Sequence, residues 1–164
     1  MLKIIGILLI VASCSAIGFL QSKSYNQRAD GIKSFIDAFS FVKAEIVFKN
    51  SSTAEVYNMI ANRCKGWAKD FFEYAYSSGE RLNIDRLKTK LDEYGINQAE
   101  KAEILRILST LGKYDGANQA DIIDVGIQRL EDLYKQAQTD ATKNGKLSSA
   151  FGVTAGIVIA ILLL

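Results

Sequence analysis

Apolar residues follow two regimes along the chain. At the ends, Ile4–Leu20 and Ser148–Leu164 are almost unbroken apolar runs without a charged side chain. Between them, apolar positions return every three or four residues, the signature of helices with one buried face. As a helix, either end run covers about 25 Å, near the lower limit for crossing a bilayer. The C-terminal run also carries small residues at every fourth position: Ser148, Gly152, Gly156 and Ala160. That spacing lays a flat stripe along one face, where membrane helices approach closely.

The middle reads as about six helices. Ile32, Phe35, Ile36, Phe39, Val42 and Ile46 form the first stripe, and nothing between Leu20 and Gly31 stops that helix from continuing out of the N-terminal run. Ser52-Thr53-Ala54-Glu55 has the pattern of a capping box and opens a second helix, with Val56, Met59, Ile60 and Cys64 inward. Gly66 punctuates, and Trp67–Tyr74 supplies a short aromatic helix. A fourth, Asn83–Tyr94, turns Ile84, Leu87 and Leu91 inward and is expected to close on a left-handed Gly95. Asn97–Glu100 repeats the capping pattern ahead of Ile104, Leu105, Ile107, Leu108 and Leu111. A long sixth helix carries Ile122, Ile123, Ile127, Leu130, Leu133, Tyr134 and Ala137, then runs toward the terminal span with Gly145 as a hinge. The expected class is all-α: an antiparallel bundle over residues 22–147, flanked by transmembrane helices at 1–21 and 148–164.

Composition narrows the chemistry. The chain has 20 Lys and Arg, 18 Asp and Glu, no histidine, no proline and two cysteines. The near balance of charge gives no bias toward nucleic acid, and missing histidine removes the commonest general base and metal ligand. There is no phosphate-binding glycine loop and no catalytic triad, so no enzyme and no cofactor is expected. Cys14 and Cys64 do not make a disulfide framework. Cys64, between Arg63 and Lys65, reads as a small buried hydrophobe in preference to a reactive thiol.

Charge also bears on orientation. Lys23, Arg28 and Lys33 follow the first run, and Lys143 and Lys146 precede the last. Basic flanks stay on the cytoplasmic side, which puts the middle inside the cell and both termini outside. Two other readings of the N-terminus stay open: a cleaved signal, and a lipoprotein signal in which Val11-Ala12-Ser13-Cys14 resembles a lipobox with Cys14 lipidated. The lipoprotein would be an exported, membrane-anchored helical binding protein. Apolar residues resume after Cys14, as a retained helix requires.

A set of fragments in fixed order resembles the stage III sporulation protein AB family of endospore-forming bacteria. They are Met1-Leu2-Lys3 with Gly18-Phe19, Ala44-Glu45-Ile46, Ser78-Gly79-Glu80, Leu111-Gly112-x-x-Asp115-x-x-x-Gln119, and Phe151 with Ala155-Gly156 and the closing Ile-Leu-Leu-Leu. The resemblance implies a soluble domain similar to that of the type II secretion and type IV pilus platform protein. It implies a scaffold in the mother-cell membrane around the forespore, in a secretion-like complex with a cytoplasmic ATPase and other sporulation channel components. Secretion platforms carry two such domains and more membrane helices, and this chain has one. Glu45, Glu80, Tyr114, Asp115 and Gln119 become candidate partner contacts, with helix capping the competing role for Asp115. The stripe Ser148, Gly152, Gly156 and Ala160 becomes a candidate for membrane helix packing, with a homo-oligomer as one product.

Overall fold

The computed structural model describes residues 2–49, 53–78, 84–111 and 116–163, which are helical apart from short links, with no strand among them. In chain order they form α1 (Leu2–Lys49), α2 (Thr53–Arg63), α3 (Gly66–Ser77), α4 (Ile84–Asp92), α5 (Gln98–Thr110) and α6 (Gly116–Asp140). A single π turn, Ala141–Gly145, then leads into α7 (Lys146–Leu163). The all-α architecture with long apolar helices at both ends is as expected. α1 is one unbroken helix, since no proline or glycine pair interrupts it. Two compact units are present, Asp30–Lys135 and the pair of segments Met1–Ala29 and Gln136–Leu164.

Within residues 30–135 the helices close around aromatic rings. Ile32, Phe35, Ile36, Phe39 and Val42 of α1 are buried, as are Phe71 and Phe72 of α3. Phe35 meets Phe71 edge-on at 5.5 Å, and Phe39 meets Phe72 at 6.2 Å. Such edge-to-face pairs add about 0.5–1.5 kcal/mol each beyond the area they bury. Trp67 stacks on Tyr94 at 5.2 Å. Gly31 makes room for that indole, because a Cβ there would lie 1.8 Å from the Trp67 ring. Ser34 Oγ accepts from the Ala68 backbone N–H at 3.1 Å, so α1 caps the start of α3 that Lys65 leaves uncapped.

Helix ends differ from expectation in two places. Among the described residues the left-handed glycine is Gly66, at φ 64°, and not Gly95. α4 instead tightens its last turn with bonds from Glu93 N to Lys90 O and Tyr94 N to Leu91 O, which satisfy its end without a left-handed residue. Ile84, expected inward, is 42 % exposed at the first residue of α4. The Asn97/Glu100 capping box on α5 is formed in both directions, at 2.9 and 2.7 Å. Ser52 of the other predicted box lies outside the described residues. α6 comes close to α5 at Gly126, where a Cβ would sit 2.5 Å from the Ile107 side chain.

Candidate functional site

The unit formed by residues 1–29 and 136–164 is an antiparallel helix pair built on small residues. A Cβ on Gly18 would lie 2.6 Å from the Ser148 carbonyl oxygen, and one on Gly152 would lie 2.7 Å from the Cys14 carbonyl oxygen. A Cβ on Gly156 would meet Val11 Cα at 3.2 Å and Cys14 Cβ at 3.4 Å, and one on Gly145 would meet Ser22 Oγ at 3.2 Å. Position numbers rise on one helix as they fall on the other. The same register continues to Arg28, which binds Asp140 at 3.2 Å. Toward the chain ends the surface outside the seam is largely apolar: Leu8, Leu9, Ile17, Phe19, Leu20, Phe151, Ile161 and Leu162 are each more than 60 % exposed. Both helices are long and apolar enough to cross a membrane.

Of the predicted stripe, Gly156 is buried, and Ser148, Gly152 and Ala160 are half-buried. Sequence reasoning missed the other side of the seam. Cys14, Gly18 and Ser22 recur every fourth residue, the same spacing that marks α7, but apolar surroundings hide them. It also missed the π turn. An α-helix over-rotates by about 40° across four residues, and the wider π turn returns that excess. Ala137, Ala141 and Gly145 are therefore all buried at spacing four.

Charged side chains in residues 30–135 are mostly tied to one another. The Glu45 carboxylate, 13 % exposed, faces Arg63 at 4.0 Å. Gln119 is buried, with 5 % of its surface open. Glu80, Tyr114 and Asp115 lie outside the described residues. On α5, Glu100, Lys101 and Glu103 are buried. Lys101 is paired with Asp92, and Glu103 lies 2.5 Å from Arg106 and 3.6 Å from Arg129. Lys43 of α1 is paired with Asp124 of α6.

The perturbed groups cluster around α4. Tyr94 donates to Asp70 at 2.5 Å, and this bond, aided by Lys90, holds the Asp70 carboxyl below its usual range. Burial and the same bond push the Tyr94 phenol up. Lys90 bridges Glu93 at 2.7 Å and Asp70 at 3.1 Å, which raises its own pKa, Glu93 first. Burial raises the Cys64 thiol, with the nearby Asp37 charge adding to it. A raised thiol at 8 % exposure is a packed side chain and a poor nucleophile. An open cleft of about 260 Å³ is lined by Asp30, Lys33, Ser34, Asp37, Lys65 and Gly66, where Lys33 binds Asp37 at 2.7 Å. Among the described residues no cluster of carboxylates, cysteines or histidines could hold a metal ion.

No solved structure matches the chain. The stage III sporulation protein AB of Bacillus subtilis (strain 168) is 25 % identical over 172 residues, an alignment that covers 100 % of each chain. The family model for stage III sporulation protein AB matches residues 3–164. With its whole length accounted for in this way, the chain belongs to the stage III sporulation protein AB family.

Proposed function

We propose that the chain is a non-enzymatic membrane platform of a secretion-like complex joining mother cell and forespore. Residues 30–135 face the cytoplasm, and both termini lie on the far side of the membrane. The observation that carries this reading is the antiparallel seam at Gly18 and Gly152, where backbones touch. A chain held at both ends by one helix pair presents the intervening module at a single membrane face. The basic flanks Lys23, Arg28, Lys143 and Lys146 favour the cytoplasmic face. The module then serves as the docking body for a cytoplasmic secretion-type ATPase and for other channel components, a role taken from the resemblance to secretion platforms.

Cys14 bears on the exported-lipoprotein alternative. α1 passes through it unbroken, and its carbonyl and Cβ both support α7. Cleavage there would remove Val11 from the seam, so the packing supports a retained span. The stripe on α7 is covered by α1 of the same chain, and a homo-oligomer would need another face.

Orientation tests the reading. Ser78 is exposed, so Ser78→Cys gives a surface thiol, and the unsubstituted chain serves as the blank. A membrane-impermeant maleimide should label Ser78→Cys on inverted vesicles and spare it on right-side-out ones. Labelling on the right-side-out vesicles would overturn the cytoplasmic placement and the ATPase-docking role with it.

A further inference from the structure

The seam fixes where the flanking charges point. Ser22 and Gly145 touch across it. In an antiparallel pair, the residue that follows each contact position turns to the same side, because a twofold axis across the pair exchanges the helices. The followers are Lys23 and Lys146, and the preceding residues, which turn to the opposite side, are Gln21 and Asn144. One side of the pair is therefore dibasic at this level and the other is uncharged. Lys143 lies two residues before the contact and points away from the seam.

Nothing nearby neutralises the two lysines. Both are exposed, and neither has an ion-pair partner among the described residues. Asp140 is the one acidic residue in 1–29 and 136–164, and Arg28 holds it at 3.2 Å. With helix axes about 8 Å apart, two lysine stems can converge on one anion as paired point charges. On the membrane side the surface turns apolar at once: Leu147 and Phe19 are 53 % and 65 % exposed.

We propose that Lys23 and Lys146 clamp the phosphate of an anionic phospholipid whose acyl chains lie along the α1/α7 pair. This rests on the membrane-spanning reading above. The occupant is a lipid, not a soluble anion, because the same patch continues into lipid-length apolar surface. A lysine held against the headgroup phosphate is expected to favour anionic lipid by about fivefold, and Lys143, turned from the seam, is not so held.

The test uses the full chain in nanodiscs of equimolar phosphatidylglycerol and phosphatidylcholine, released into detergent for native mass spectrometry. The unsubstituted chain should retain phosphatidylglycerol preferentially. Lys23→Gln or Lys146→Gln should each cut that preference by about fivefold, and Lys143→Gln should leave it unchanged. An equal loss in Lys143→Gln would mean diffuse attraction and overturn the clamp, as would displacement of the lipid by inorganic phosphate. Carbonate extraction of membranes separates the two claims. A chain that resists carbonate yet shows no lipid preference refutes the clamp alone, and a chain that carbonate releases refutes the spanning reading.

Discussion

In residues 30–135 the close approaches at glycine are made by side chains: the Trp67 ring over Gly31 and the Ile107 branch over Gly126. In the terminal helix pair the tightest are made by backbone: the carbonyls of Cys14 and Ser148 against Gly152 and Gly18. On the membrane-spanning reading proposed above, the difference is the one that two solvents select. In water, burying large rings is itself the driving force. In lipid the surroundings are as apolar as leucine, so association depends on how closely backbones can approach. Phenylalanines fill one unit, and small residues line the seam of the other.

The strongest way to break the comparison is to hollow out the aromatic unit. Phe71 is fully buried against Phe35 and Phe72. Phe71→Ala should cost about 3–5 kcal/mol, measured as a lowered unfolding midpoint of the full chain by the emission of Trp67, its one tryptophan. The terminal pair should not respond. Its integrity can be read from a disulfide: the 3.4 Å between Cys14 Cβ and a Cβ on residue 156 is close to disulfide geometry. Gly156→Cys should thus crosslink to Cys14 within one chain under mild oxidation, and crosslinked dimers instead would place the stripe between copies.

Next in size is the reverse experiment. Adding Gly152→Ile to the Gly156→Cys chain forces the backbones apart at the Cys14 carbonyl. Overpacking of this kind costs about 1–3 kcal/mol, so the intramolecular crosslink yield should fall roughly tenfold while the Trp67 midpoint stays put. If the midpoint fell as well, the two units would not be energetically separate.

The aromatic unit was more legible in the sequence than the pair. Its stripes, from Ile32 through Leu130, announce themselves by period, and Asn97 with Glu100 announces a cap. Two features of that unit stayed hidden. Glu100, Lys101 and Glu103 are charged residues that periodicity assigns to solvent, yet local partners such as Asn97, Asp92 and Arg106 let them be buried. Gly66 and Gly95 are equally good glycine punctuation, and only the i,i+3 bonds after α4 decide between them. The stripe on α7 was visible, but its counterpart was not. A stripe says that something comes close and not what, and Cys14, Gly18 and Ser22 sit in a run where every residue is small or apolar. Removing the visible cap gives the third test: Asn97→Ala should lower the midpoint by about 1 kcal/mol, without touching the crosslink.

The smallest effect concerns pH and again belongs to one unit alone. Asp70 has its carboxyl held below the usual range by the Tyr94 hydroxyl and then by Lys90. A depressed carboxyl stabilises the fold at pH values above its unfolded pKa of about 3.9 and loses that contribution as pH falls through the folded value. Lys90 and Tyr94 are raised, so their contributions are intact below about pH 10 and are lost only above it. Between these limits the cluster gives no slope. The Asp70 side chain is 57 % exposed, so solvent screening keeps its contribution to about 0.2–1 kcal/mol. Asp70→Asn retains an oxygen that can accept from Tyr94 but loses the charge facing Lys90. It should flatten the fall of the Trp67 midpoint below about pH 4 and leave the neutral-pH midpoint within about 0.5 kcal/mol of the unsubstituted chain. A larger loss at pH 7 would mean that the Asp70–Tyr94–Lys90 cluster holds α3 to α4 more firmly than its exposure allows. An acid-induced drop in the Cys14 crosslink would show the terminal pair sensing the same titration, and the two units would no longer be independent.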